Sequence, residues 1–529
     1  MEPVTTSNPY GFDRYLAWRS GVDYYADDPF LRDVVRHHAG AAFARVDVEA
    51  RAISRKASHR WRELSEAIAV PEARPRLEHW DAHHHRVDRV VRPAEALALE
   101  QEVFAEGLFS DRTDALTRAV KQFVVYENGE ACIACPLVCT EGLVAALDEL
   151  ADRPETTAIR EHLKEGRDGR HAVGAQFLTE IQGGSDVPAN RVVAVRDGDR
   201  YRISGTKFFC SVAHADYAAV TARESESGAL GLFVLPLWAP GQEGRRRNGL
   251  TVDRLKWKTG TTELPTAEMT FDGALAWALG PVERGLANVV RIVLTASRLT
   301  IGLASAAYAT RAVREARAWA TFREAFGRPI GRFPMVQAQL EDMERSIRRA
   351  TAGAFEVHRR LHGGAAPGGE SPDDARRRAF EARELVMLQK VVASEDATRT
   401  IQEAMGLLGG NGVVEDFSSL PRLFRDSVVN ELWEGPRNVL LAQVHRDLRR
   451  AADWYPPGEL VRSLAGGRED RRYRELAGEF EALVAGPDLA GEDPGVVEAC
   501  RRWDAACRDL VHAFQEGAVR EVAGEPDRR

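Results

Sequence analysis

Glu434 is a carboxylate set between a large aromatic and a glycine, in the run Asn430–Glu431–Leu432–Trp433–Glu434–Gly435–Pro436–Arg437–Asn438. Trp433 can exclude water and raise the carboxyl pKa by desolvation, which suits a base that acts near neutrality. Gly435 lets the backbone turn where a side chain would clash. The same residues also read as a helix N-terminus, with Glu434 in the first turn and Pro436 near the first helical position. Glu431 is the nearest rival carboxylate, but no glycine flanks it. Both readings are open on these nine residues alone.

Three other stretches bear on the choice. Leu178–Thr179–Glu180–Ile181–Gln182–Gly183–Gly184–Ser185–Asp186–Val187 carries a glycine pair that permits close backbone approach and a serine able to donate to a phosphate oxygen. Arg323–Glu324–Ala325–Phe326–Gly327–Arg328–Pro329–Ile330 opens on an arginine, whose planar fork suits a pyrophosphate. Leu408–Gly409–Gly410–Asn411–Gly412 is a further glycine loop. In this order and at these distances, followed by Trp433–Glu434–Gly435, they resemble the acyl-CoA dehydrogenase flavoprotein family over residues 90–450.

The resemblance implies an FAD cofactor and an acyl-CoA thioester substrate. Glu434 takes the place of the base that removes the α-proton while the β-hydride passes to flavin N5. Trp433, Gly435 and Arg298 fall on the substrate side. Ser297 stands where some members carry the base on an earlier helix, which strengthens the case for Glu434. Leu178 and Thr179 match positions that contact the flavin ring, and Gly184 and Ser185 match the loop near the phosphates. Phe209 replaces the flavin-stacking tryptophan, and Ser211 matches the hydroxyl beside N5.

Arg323, Phe326, Gly409 and Gly410 match positions that reach the cofactor of a neighbouring subunit. A homodimer or homotetramer is therefore implied, with an electron-transfer flavoprotein as a further partner. Gly406, Pro334 and Pro436 stand where polar residues are common in the family, so several contacts to FAD are missing, while Asn438, in place of a glutamine, matches a cofactor-binding position. These departures and the long terminal segments resemble the AidB-like, alkylation-response branch. That branch implies an alternative function, a flavin-bearing binding or protective protein of weak activity, with DNA binding in its best-known member.

The elements that must position these residues follow from composition and pattern. A chain of 529 residues, 44% hydrophobic and 29% charged, suits about three or four domain-sized units. Net charge of −8 and a pI near 6.0 give no global basic footprint for nucleic acid, although arginines can still gather on one face. No charged segment followed by an apolar core opens the chain, and the apolar tract 286–303 is interrupted by Arg291 and Arg298, so no membrane span is expected. Six cysteines give no disulfide framework, which predicts a cytoplasmic protein.

Cys132, Cys135 and Cys139 have helical spacing and read as buried small residues on one helix face, not as metal ligands. His83, His84 and His85 read as a solvated turn, since adjacent side chains diverge. No metal site is expected.

The pattern predicts an α+β fold, and the resemblance implies that it is of the acyl-CoA dehydrogenase type. Residues 1–30 read as an N-terminal arm and 31–170 as a helical domain, with the stripe Leu143, Ala146, Leu147 and Leu150. From 171 to 280 the period falls to two, predicting strands at 192–196, 201–204, 207–212, 217–223 and 230–237. Asp197–Gly198 marks a hairpin between the first two. Such close strands predict an antiparallel β domain, and no helix pattern after Gly183–Gly184 supports a dinucleotide fingerprint. Residues 281–450 predict a four-helix bundle, with a loop at 362–370 and a helix start at Ser371–Pro372–Asp373–Asp374. Residues 451–529, with 17 acids and 11 bases, predict a helical extension that serves as a cover or an interface.

Overall fold

A computed structural model describes residues 11–363, 370–466, 470–492 and 494–524. The first ten residues of the expected arm, positions 364–369 of the expected loop and the end of the extension lie outside the described residues. Asp28, Asp114 and Ser371 each accept a backbone N–H from three residues on, and each starts a helix. This satisfies donors that a helix cannot satisfy itself.

The N-terminal part packs the helices Pro29–Ala39, Phe43–Lys56, Ala115–Tyr126, Ala134–Leu150 and Pro154–Glu165. Leu143, Ala146 and Leu147 are fully buried along the predicted stripe, and Leu150 is half-buried. A hairpin, Arg76–Trp80 with Arg86–Val91, interrupts the helices. His83, His84 and His85 lie exposed at its tip, where Asp81 accepts the N–H groups of His83 and His85 at 2.8 Å each. The cysteines correct one expectation. Cys135 and Cys139 are a helical turn apart with sulfurs 3.7 Å apart, but Cys132 precedes the helix at φ +58° and lies beside Arg92. Two successive left-handed residues, Ala131 and Cys132, end the shared face there.

The middle part is one seven-stranded sheet: Gly174–Phe177, Val193–Asp197, Arg200–Ser211, Tyr217–Glu224, Leu230–Pro236, Leu250–Leu255 and Thr266–Ala278. Asp197 pairs with Arg200 across the predicted hairpin. The stretches 201–204 and 207–212 belong to one strand whose register against Thr266–Ala278 shifts twice, between Ile203 and Gly205 and between Lys207 and Cys210. Most pairings are antiparallel, but residues 174–177 run parallel to 217–220, and Val193 and Ala194 run parallel to Arg223 and Glu224. The strand Thr266–Ala278 escapes the alternation rule because its ends are buried on both faces and Asp272–Gly273 imitates a turn.

The helices Leu294–Phe322, Pro334–His362, Pro372–Leu408, Leu420–Leu432 and Arg437–Ala451 form the C-terminal bundle. The run Val282–Phe322 is long and apolar enough to cross a membrane, yet 83% of its most apolar window is buried inside the fold. It is a core helix. Pro457–Leu464, Arg471–Ala485 and Val496–Ala523 form the extension, which covers the bundle. Trp503 Nε1 donates to Leu441 O at 2.9 Å, and Gln515 Nε2 donates to Gln389 Oε1 at 3.0 Å.

Asp426 joins all three parts. Its carboxylate accepts the N–H of Thr261 at 2.8 Å from the sheet side and that of Glu130 at 3.1 Å from the N-terminal side. Glu263 lies in the same buried cluster, and neither of its carboxylate oxygens has a hydrogen-bond partner among the described residues. Burial, reinforced by the charge of Asp426, raises the Glu263 pKa above its ordinary value, and Glu130 is pushed up to about 8 by burial. A folded-state pKa above the unfolded one gives stability that is present below the unfolded value and is lost as pH rises through the folded one. We therefore expect thermal stability to fall between about pH 5 and pH 8. Glu263→Gln should raise stability at pH 8 by about 1–3 kcal/mol and flatten that slope. Calorimetry across pH checks both, and an unchanged slope in the variant would refute the assignment.

Candidate active site

Glu434 sits in the four-residue break between the helices Leu420–Leu432 and Arg437–Ala451, behind the cap position Trp433 and ahead of the cap position Pro436. Its backbone is left-handed at φ +58°, and Gly435 follows at φ +104°. A side chain at Gly435 would be strained by that φ, and its Cβ would come within 2.8 Å of Leu440 Cδ2. The base-or-helix-start alternative is resolved in form: Glu434 precedes the second helix and lies outside its first turn.

Two buried cations hold the turn from beneath. Arg298 Nε donates to Glu434 O at 2.9 Å. Lys390 Nζ donates to Glu431 O at 3.0 Å and Gly435 O at 2.8 Å. Burial pushes the half-buried Glu434 carboxyl above the usual carboxylate range, while Arg298 and then Lys390 pull it back. The result is a shielded carboxylate near two positive charges. Arg298, expected on the substrate side, is 5% exposed, and its Nε holds the backbone of the turn. Ser297, next to it, is buried and bonded to Gln176 and Val293 O.

The second half of the site lies on the sheet. Leu178 O accepts from Asn190 Nδ2 at 2.7 Å and Lys207 Nζ at 3.2 Å, while Thr179 O accepts the N–H of Phe208 at 2.9 Å. The loop beyond is pinned by Glu180, which pairs with the buried Lys207 at 2.8 Å and accepts the N–H groups of Arg191 and Val192. Gly183 is at φ +127°, with open space where a side chain would be, and Ser185 is exposed. Phe209 lies in the register shift of its strand and is 48% exposed beside the half-buried Phe208 and the buried Cys210, with the Lys256 ammonium 4.5 Å from its ring centre. A bulge of this kind re-aims a side chain out of the pleat.

The two halves are joined through residues 256–266. Ser211 Oγ lies 3.2 Å from Thr266 Oγ1, which accepts from Lys258 Nζ at 2.9 Å. Thr261 N–H reaches Asp426 on the helix that ends two residues before Glu434, and Gly260 is pressed so closely on Arg425 O that no side chain fits.

Arg323, Phe326, Gly409, Gly410 and Asn438 are exposed. Phe326, 96% exposed at φ +52°, occupies the tip of a small hairpin whose strands are Glu324–Ala325 and Arg328–Pro329. Lys390 and Asp426 were missed from the sequence. Lys390 had left a signal, an isolated ammonium inside the apolar run 385–393.

Three family models match successive parts of the chain. They are the Adaptive response protein AidB N-terminal domain over 17–165, the acyl-CoA dehydrogenase middle domain over 175–274 and the acyl-CoA dehydrogenase C-terminal domain over 283–449. Acyl-CoA dehydrogenase family member 11 of Caenorhabditis elegans is 32% identical over 80% of this chain and 70% of its own length. The chain belongs to the acyl-CoA dehydrogenase family. Within it, the putative acyl-CoA dehydrogenase AidB of Escherichia coli is 31% identical over 72% of this chain and 70% of that protein. The crystal structure of Caenorhabditis elegans ACDH-11 in complex with C11-CoA superposes with a TM-score of 0.79 and 28% identity, covering 96% of this chain and 92% of that one.

FAD is the cofactor of the acyl-CoA dehydrogenase family, and the residues present fit it. Phe209 offers an exposed aromatic face, Gly183 leaves a cradle free, and the buried Trp433 Nε1 has no hydrogen-bond partner among the described residues. A Cβ on Gly184 would come within 2.5 Å of Thr179 Oγ1 and displace that hydroxyl. We expect Gly184→Ala to fold as the parent does and to lose at least about tenfold in FAD affinity, about 1.4 kcal/mol. The ratio of flavin to protein absorbance after dialysis checks this, and full retention would remove Gly184 and Thr179 from the cofactor site.

Proposed function

We propose that this acyl-CoA dehydrogenase family member converts an acyl-CoA thioester to its α,β-unsaturated form, with Glu434 as the base. The observation that carries the reading is the Glu434 turn: a water-shielded carboxyl on a left-handed backbone, fixed by two buried cations. A relative in complex with C11-CoA supports the substrate class.

Leu178, Thr179, Gly184, Ser185, Phe209 and Ser211 would hold FAD, which when bound supplies the acceptor for the β-hydride. Glu434 takes the α-proton, the electron pair of that C–H bond forms the α,β double bond, and the β-hydrogen leaves with its own pair. An α-proton of a thioester is too weakly acidic for an unassisted carboxylate. We assign stabilisation of the developing enolate to the N–H of Glu434, at about 3–4 kcal/mol for a well-placed donor. Trp433 excludes water beside the base, and burial raises the carboxyl toward neutrality, where proton transfer is most effective.

We also propose that the functional unit is a homo-oligomer in which Arg323, Phe326, Gly409 and Gly410 meet the cofactor of a second copy. The exposed ring of Phe326 and the exposed glycine loop support this, since both project away from the chain's own core.

Glu434→Gln should retain bound flavin, with anaerobic bleaching by acyl-CoA reduced at least about 1,000-fold. Stopped-flow absorbance measures it. Bleaching at the parent rate would take Glu434 out of the role.

A further inference from the structure

Lys390 lies inside the helix Pro372–Leu408 with its residue 0% exposed. An ammonium in such a place is costly to desolvate and persists only where its charge or its donors are satisfied. No carboxylate lies within ion-pair distance of Lys390 among the described residues. Its donors go to two backbone carbonyls that bracket the base: Glu431 O, in the last turn of one helix where carbonyls lack helical partners, and Gly435 O, just past the left-handed residue. Arg298, from the helix Leu294–Phe322, holds the carbonyl between them.

Three carbonyls in five residues are thus tied to two cations on two different helices. A left-handed backbone at a glutamate is unfavourable in isolation and persists where its surroundings over-determine it. The two hydrogen bonds of Lys390 are such a determinant.

We propose that Lys390 is the positioning residue of the base, fixing the Glu434 turn through Glu431 O and Gly435 O and favouring the ionised carboxylate through its charge. This rests on the reading of Glu434 as the base. The groups that face Lys390 are Glu434, Arg298, Glu431 and Glu395, while Glu384, Arg383 and Asp447 act on Arg298 from the other side. Burial lowers Lys390 to about 7 against the pull of Glu434. The charge that favours the carboxylate is therefore lost just above neutrality, and it gives the reductive step an alkaline limb that Glu434 alone would not produce.

The test uses the flavin-loaded full chain, C11-CoA as the probe, and anaerobic bleaching followed from pH 5.5 to 9. Lys390→Met removes both donors and the charge, and Lys390→Gln keeps two amide donors without the charge. In Lys390→Met the bleaching rate should fall at least about 30-fold, with flavin content and half-saturating C11-CoA within about twofold of the parent. Its acid limb should move up by about one pH unit, because Glu434 has lost a cation, and its alkaline limb should vanish. Lys390→Gln should regain part of the rate and keep the displaced acid limb. Should the Met variant not fold, the Gln variant decides on its limbs alone. Parental rates and limbs in the variants overturn the proposal, and so does loss of flavin or stability with both limbs in place. If the parent itself is not bleached, the dehydrogenase reading fails and this one with it.

Discussion

Two cations buried beneath one turn are the constraint on which the site depends. A buried guanidinium and a buried ammonium are usually matched by carboxylates. Here Arg298 Nε and the ammonium of Lys390 are bonded to the backbone around Glu434, so the nearest carboxylate remains free to take a proton. Desolvation raises its pKa and the cations lower it. The two effects oppose each other at one carboxyl, and burial is the larger.

A turn of that kind is useful only if it is held against the cofactor side, and that relation runs through Asp426. The helix Leu420–Leu432, which leads into the Glu434 turn, carries Asp426, and Asp426 binds N–H groups from both other parts of the chain. The closeness of Gly260 to Arg425 O makes the contact a fixed register, with no room for a side chain to act as a spacer. Placement of Phe209 and Ser211 relative to Glu434 is therefore a matter of three short covalent runs and a few buried hydrogen bonds. The unpartnered oxygens of Glu263 show what this junction costs in stability.

Local pattern carries a helix start, a hairpin and a motif well. Ser371 caps its helix, Asp197–Gly198 turns its hairpin, and the His83–His85 run is the solvated turn that diverging neighbours imply. What local pattern cannot carry is pairing between distant segments. The parallel contact of residues 174–177 with 217–220 and the long strand Thr266–Ala278 depend on partners far along the chain. The site follows the same division. Trp433–Glu434–Gly435 can be seen in the sequence because the chemistry is contiguous. Arg298 was visible as a site residue, but a sequence does not say that its Nε folds back onto the carbonyl of Glu434. Lys390 is 44 residues before the base, and only the fold brings them together.

The C-terminal extension takes its meaning from the helix it touches. Gln515 bonds Gln389, the immediate neighbour of Lys390, and His512 Nε2 reaches Asp396 Oδ2 at 2.7 Å one and a half turns on. Arg437, the first residue of the helix after the base, is tied to Asp504 of the extension and to Glu395 of the Lys390 helix. A Cβ at Gly353 would meet Gln515 Cγ at 2.6 Å, so the fit is close on the bundle side as well. The extension thus clamps both the helix that supplies Lys390 and the helix that follows Glu434. A helix free to slide by even a fraction of a turn would break the short bonds from Lys390 to the base turn, because hydrogen bonds weaken steeply with distance and angle. On the proposed reading of Glu434, the added helices are part of the mounting of the base.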